Sequence, residues 1–386
     1  MSPSNTPATP GAAEPPSNAT SRRPPKIPRP RPVPVAQSAA VAELLRALRE
    51  TSGRQGSVDP EPPGLGSYGF MEHAESGPPP WSSERPDHVR LRALLDTARA
   101  DPRNPLSCPN SAGRRLSVAE LPDAPPQPWI ADRLDSSLHD GTGDGSGIAS
   151  ADAESPLRQV VGPGGQRCWL FDGGDGGRGG GSHASRTPAS EQPPQPPMLW
   201  FVFDGRTWVE TFRLGAVFEA MTERGALPRV CVVFVDPGDK AVRWEEYSEP
   251  STFADQLTSR YLPWAEEQFG VSFEPGRCGV AGQSISAYAA LHCGVRHPEV
   301  FGRVVSQSAS LWLPAPQPVA AARQRFEQVF RVEVGSEEWV LREPNRAFAD
   351  ELRASGVRTE FVEFAGGHDY ACWRGSLPEA IAALSR

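Results

Sequence analysis

The chain has 386 residues, enough for one large domain or two ordinary ones, and 43 of them are proline, about 11% (43/386) against a usual share of about 5%. Its formal net charge of −8 is modest for this length and argues against a general binder of nucleic acid or membrane surfaces. No stretch approaches the roughly 18 apolar residues of a membrane span, and none of the six cysteines forms a CxxC pair, which excludes a zinc ribbon or a redox motif of that type.

Most of the proline excess lies before Met198. Residues 1–65 are rich in Pro, Ser, Ala and Gly, a composition that cannot bury enough apolar surface to offset chain entropy, so they are expected to be a disordered tail dispensable for catalysis. Pro3, Pro7, Pro10, Pro15 and Pro16 leave no apolar run for a secretory signal, so a cytoplasmic protein is expected. The basic, proline-spaced residues Arg22, Arg23, Lys26, Arg29 and Arg31 read as part of a solvated tail, and Ala36 to Glu50 as one short helix. Residues 66–140 are irregular, with a helix predicted around Leu91, Leu94 and Leu95. Residues 141–197 form a Gly/Pro-rich segment with one strand expected at Cys168 to Phe171.

The pattern changes over 198–386. Apolar runs at Leu199–Phe203, Arg229–Val235, Cys278–Ala281, Arg303–Val305, Phe330–Val334 and Thr359–Glu363 read as strands buried on both faces. Helical patterns separate them at Thr207–Arg224, Phe253–Phe269, Ser286–Arg296 and Asn345–Ala354. Strands alternating with helices predict an α/β protein with a mainly parallel sheet covered by helices, preceded by a disordered or irregular N-terminal region.

In such sheets reactive groups collect beyond the carboxyl ends of the strands. Gly282-Gln283-Ser284-Ile285-Ser286 follows the third of these strands and nearly matches the G-x-S-x-G nucleophile elbow of α/β-hydrolases. Ser286 stands where that motif has its second glycine and Ala287 follows it; both are small, so the turn remains possible. Ser284 is the candidate nucleophile. A serine hydroxyl needs a base, which should lie downstream in a turn after a strand. His368, flanked by Gly366 and Gly367, is the candidate, whereas His292 and His297 belong to the helix after the elbow and its end. The acid that orients His368 should follow the strand ending at Val334-Gly335, which leaves Glu338 or Glu337. Oxyanion donors are expected from the backbone of Ile285 and of Gly205 or Arg206.

Together these residues resemble the enterochelin esterase family, within the wider esterase D group. The resemblance rests on Asp204-Gly205-x-x-Trp208, Val280 to Ser284, Pro298-x-x-Phe301-Gly302, the Ser306/Ser308/Ser310/Trp312 series, and above all Gly366-Gly367-His368-Asp369-x-x-Cys372-Trp373-Arg374-Gly375. Upstream, Asp101-Pro102-x-Asn104 and Ser117 to Trp129 resemble the family's linker. The resemblance implies an α/β-hydrolase domain, after a smaller N-terminal β-sandwich, that hydrolyses a ferric catecholate siderophore ester in the cytoplasm. It implies no cofactor, with iron entering only as part of the substrate, and a small-molecule partner rather than nucleic acid or membrane. Arg243, in an Arg243-x-x-Glu246 element that resembles one near the family's active site, is expected to meet the trianionic substrate or else to pair with Glu246 at the surface. Trp312 and Trp373 are expected to stack on catechol rings or to serve the core. Another esterase or acyltransferase of the same fold, and a non-catalytic binding relative, are the alternatives.

Overall fold

The computed structural model describes residues 64–68, 97–102, 104, 106–110, 113–120, 124–131, 156–174, 196–318, 320 and 326–386. The helices predicted at Ala36–Glu50 and around Leu91–Leu95, the basic patch and most of the expected tail lie outside these residues.

Eight strands form the main sheet. In chain order they are β4 (Arg158–Val161), β5 (Arg167–Asp172), β6 (Met198–Phe203), β7 (Val230–Val235), β8 (Cys278–Gln283), β9 (Phe301–Gln307), β10 (Val329–Gly335) and β11 (Arg358–Phe364). Their spatial order is β11-β10-β9-β8-β6-β7-β5-β4. The six strands from β6 onward are parallel to their neighbours, while β5 runs antiparallel to β7 and β4 antiparallel to β5. All six residues of β6, of β7 and of β8 are buried, because helices cover both faces of the sheet centre, and that explains their unbroken apolar runs. The hairpin β4–β5 corrects the boundary expected at Met198: the sheet begins about 40 residues earlier (198 − 158) and contains two strands where one was expected.

The helices are α1 (Leu214–Glu223), α2 (Lys240–Ser248), α3 (Ser251–Gln256), α4 (Leu262–Phe269), α5 (Ile285–Arg296), α6 (Arg342–Ala354) and α7 (Tyr370–Leu384). The single helix expected over Thr207–Arg224 is instead a π-helical turn, Thr207–Thr211, and then α1, broken at Arg213, whose φ is +51°. A second π-helical turn, Leu257–Tyr261, joins α3 to α4. Helices α2 and α7 had no counterpart in the sequence reading. Each is signalled by an aspartate cap: Asp239 accepts from the N–H groups of Ala241 and Val242, and Asp369 from that of Ala371.

A second, three-stranded antiparallel sheet has the order β1-β3-β2, from β1 (Leu65–Tyr68), β2 (Ser107–Pro109) and β3 (Arg115–Glu120). Leu65, assigned to the tail by composition, is therefore the first residue of a strand, and it is buried. Arg374 of α7 donates to the Ser107 carbonyl at 2.8 Å, which fastens this small sheet to the last helix, and Gln127, in the segment after β3, donates to the Ala371 carbonyl of the same helix.

Candidate active site

Ser284 sits between β8 and α5 with φ +59° and ψ −119°, a conformation an L-residue enters at a cost of about 1–3 kcal/mol. The turn is fixed from both sides. Ser284 N–H donates to the Gln307 carbonyl at 2.8 Å, and the Ser284 carbonyl accepts from Ser310 N–H at 3.1 Å. A Cβ on Gly282 would lie 2.4 Å from the Ser286 carbonyl oxygen, so glycine is required at the first motif position. Ser286 is fully buried and is itself part of the turn. Its hydroxyl lies 2.8 Å from both Asp204 Oδ2 and the Gln283 carbonyl, and it accepts from Gln283 N–H at 3.0 Å. Serine in place of the second glycine is thus accommodated by hydrogen bonds.

The loop after β11 brings His368 to the nucleophile. Its Nε2 lies 3.0 Å from Ser284 Oγ and its Nδ1 lies 2.6 Å from Glu338 Oε2. A carboxylate can only accept, so Nδ1–H donates to Glu338 and leaves the Nε2 lone pair facing the serine hydroxyl. Of the two glutamates left open by the sequence, Glu338 makes this contact, and Glu337 is exposed. Glu338 has a side chain only 1% exposed, and its other oxygen accepts from Gly335 N–H at 2.7 Å and from Ser308 Oγ at 2.5 Å. Ser308, missed as a site residue, holds a left-handed φ of +54° and also accepts from the buried Trp373 indole N–H at 3.0 Å. Its trace in the sequence is the serine series that begins at the end of β9.

Asp204, at the end of β6, also has a left-handed φ, +57°. A Cβ on Gly205 would lie 2.7 Å from the Phe234 carbonyl carbon, so the backbone can pass this close to β7 only at glycine. Ile285 is the first residue of α5, and its N–H has no partner within the helix. Gly205 is buried and Arg206 exposed, the latter 3.9 Å from Asp236. The buried Asp204 carboxylate joins the two halves of the site: it accepts from Gln283 Nε2 and Ser286 Oγ of the elbow, both at 2.8 Å, and from Arg243 Nε and an Arg243 terminal nitrogen at 2.5 and 2.7 Å. Gln283 in turn accepts from the Trp208 indole N–H at 3.1 Å. Burial, reinforced by the Asp204 charge, pushes the nearby Tyr370 hydroxyl up to about 12, so that group stays protonated at neutral pH.

Two expectations about substrate contacts need correction. Arg243 does not pair with Glu246; its guanidinium forks onto Asp204, so the charge expected to meet an anion already has a partner. Trp373 is 3% exposed and stands edge-on to His368, with centroids 4.7 Å apart, so its ring packs the base and has no face open for a catechol. Trp312 is half-buried and stacks on Trp244 at 6.0 Å and 16°. The six thiols are all buried, and burial raises Cys168, Cys231 and Cys278 to about 12, which disqualifies these three as nucleophiles at neutral pH. Among the described residues no group of three or more His, Cys, Asp or Glu side chains could hold a metal ion, and no helix is long and apolar enough to cross a membrane.

Residues 185–384 match the putative esterase family and residues 33–130 match the N-terminal region of enterochelin esterases. An iron(III) enterobactin esterase of Dickeya dadantii (strain 3937) is 32% identical over 315 residues, 76% of this chain and 66% of that protein. The iron(III) enterobactin esterase of Escherichia coli (strain K12) is 27% identical over 324 residues, 79% of this chain and 72% of that protein. The chain therefore spans about two thirds to three quarters of the length of these relatives. Among solved structures, the enterobactin esterase of Shigella flexneri in the presence of enterobactin aligns with a TM-score of 0.62 at 26% identity, covering 83% of this chain and 78% of that one. The ferric enterobactin esterase of Salmonella typhimurium aligns equally well, at 0.62 and 26%. With a family match over more than half its length, laid on the strands and loops that carry Ser284 and His368, the chain belongs to the putative esterase family, as a relative of the enterochelin esterases.

Proposed function

We propose that the chain is a serine esterase that hydrolyses the ester bonds of a ferric catecholate siderophore and so releases iron, which enters only as part of the substrate. The observation that carries the serine-esterase part of the reading is the hydrogen-bonded series Ser284 Oγ, His368 Nε2, His368 Nδ1, Glu338 Oε2, at 3.0 and 2.6 Å, at the ends of three parallel strands, and the substrate class is supported by the likeness to iron(III) enterobactin esterases. As His368 takes its proton, Ser284 Oγ attacks the ester carbonyl. The imidazolium formed is stabilised by Glu338 and then protonates the leaving alcohol. Water, deprotonated by the same imidazole, hydrolyses the acyl-serine. Backbone N–H groups of Ile285 and of Gly205 or Arg206 would hold the oxyanion, a contribution on the order of 10²–10³ in kcat for one donor in other serine hydrolases. Trp312, half-buried and stacked on Trp244, would meet a catechol ring with the face turned away from Trp244. Localisation to the cytoplasm belongs to the same proposal, as the place where an imported siderophore would be opened.

A second reading, an esterase of uncharged acyl groups, is favoured by one observation: Asp204 already occupies the cation expected to meet the trianion. Incubation with a ferric tris-catecholate triester, with products resolved by mass, beside a short neutral acyl ester separates the two. The proposal expects stepwise linear products from the siderophore at a kcat/KM above that of the neutral ester. Turnover of the neutral ester alone would leave the second reading.

A further inference from the structure

The loop that carries the base has little to hold it from within. Gly366 and Gly367 precede His368, and glycine leaves the backbone the widest choice of conformations. The described structure shows two supports from outside: Glu337 N–H, in the loop after β10, donates to the Gly366 carbonyl at 2.9 Å, and strand β1 of the small sheet adds further ties. Leu65 N–H donates to the Ala365 carbonyl at 2.9 Å, and Leu65 bridges Gly366 in parallel. Cys372 Sγ donates to the Leu65 carbonyl at 3.2 Å. A Cβ on Gly366 would lie 2.7 Å from that same oxygen, so the loop can lie this close only because residue 366 is glycine. Two residues further along β1, Ser67 donates both its N–H, at 2.7 Å, and its hydroxyl to Asp369 Oδ2. Asp369 is divided between two tasks, because its Oδ1 caps α7 through Ala371 N–H at 2.9 Å. The neighbours of the base on both sides, Gly366 and Asp369, are thereby tied to one four-residue strand.

We propose that β1, through Leu65 and Ser67, is a positioning element that sets the distance of His368 from Ser284, so that the segment ahead of the hydrolase sheet takes part in catalysis without touching substrate. The proposal rests on the reading of Ser284, His368 and Glu338 as the catalytic series. It replaces the expectation that everything through residue 65 can be removed without loss. Displacing a reacting group by about 1 Å is enough to cost about 10²-fold in rate, so the loss of one of several ties should cost less.

The test uses the full-length chain and an activated aryl ester. Asp369→Asn keeps a competent helix cap but turns a carboxylate acceptor into a group that cannot satisfy both Ser67 donors, and Ser67→Ala removes one donor. Each should lower kcat about 10-fold, with KM within about twofold and the thermal midpoint close to wild type, and Ser67→Thr should restore kcat. In a His368→Ala background the same substitutions should change the residual rate less than about twofold, because two changes acting through one group are not additive. Full kcat in both single variants, or an equal loss with and without His368, would overturn the proposal. A His368→Ala protein as active as wild type would instead overturn the reading of the site on which it rests.

Discussion

Replacing Arg243 by Gln separates two roles for that side chain. The described geometry makes it the partner of Asp204, whose side chain is 4% exposed while that of Arg243 is 29% exposed. Removing one member of a buried pair costs about 3–5 kcal/mol, because an uncompensated charge remains. Two features reduce that figure here: Arg243 is partly solvated, and Asp204 keeps its donors Gln283 and Ser286. A loss of about 2–3 kcal/mol is expected, a fall in Tm of at least about 4 °C for a domain of this size. The same carboxylate holds the elbow and the Gly205 turn, so kcat/KM should drop for a neutral ester and a trianionic one alike, by similar factors. Arg243→Gln combined with Asp204→Asn, which removes both charges, should recover part of the stability. The assays are thermal unfolding by circular dichroism and kcat/KM on both esters, at low and high salt. Unchanged Tm with a loss confined to the anionic ester would refute this reasoning and return Arg243 to substrate recognition.

Glu338→Gln should leave the chain folded and lower kcat by about 10⁴, since an amide cannot enforce the Nδ1–H tautomer of His368; a loss under about tenfold in steady-state rate would remove Glu338 from the series. His292, on α5, is held neutral by burial, which lowers it from an ordinary value near 6.5 to about 4. Between those values the unfolded chain binds a proton that the folded chain refuses, so stability is fully present above about pH 6.5 and falls as the pH drops toward 4. His292→Asn should flatten that part of a plot of Tm against pH, and an unchanged slope would show that another group sets it.

Much of the central sheet was legible because strands buried on both faces must be apolar without interruption, as β6 and β7 are. The hairpin β4–β5 was half seen: Arg167–Asp172 has four buried residues, whereas β4 is an edge strand with no fully buried side chain and thus no pattern to read. Helix α2 carries a mixed, largely exposed sequence that periodicity cannot flag. The small sheet was hidden by the proline-rich composition around it, and its role depends on contacts across about 300 residues, such as Ser67 to Asp369. At the site, Ser284 and His368 stand at motif positions, so order along the chain was enough to nominate them. The choice between Glu337 and Glu338 needed coordinates, because adjacent residues in a turn face different ways. The partner of Arg243, and the choice for Trp373 between catechol and core, needed coordinates for the same reason. A side chain's type says what it could recognise, but its partner decides what remains available, and here Asp204 and Ser308 occupy them first.

The central claim is that Ser284, activated by His368, forms an acyl-enzyme. The most direct test is to react the full-length protein with a fluorophosphonate and locate the adduct by peptide mass spectrometry, in wild type, Ser284→Ala and His368→Ala. The account predicts one adduct on the peptide containing Ser284, none in Ser284→Ala, labelling slowed by orders of magnitude in His368→Ala, and a fall in ester kcat on the order of 10⁶ when Ser284 is lost. An adduct on another residue, or a Ser284→Ala protein that still turns over more than a few per cent as fast as wild type, would contradict it.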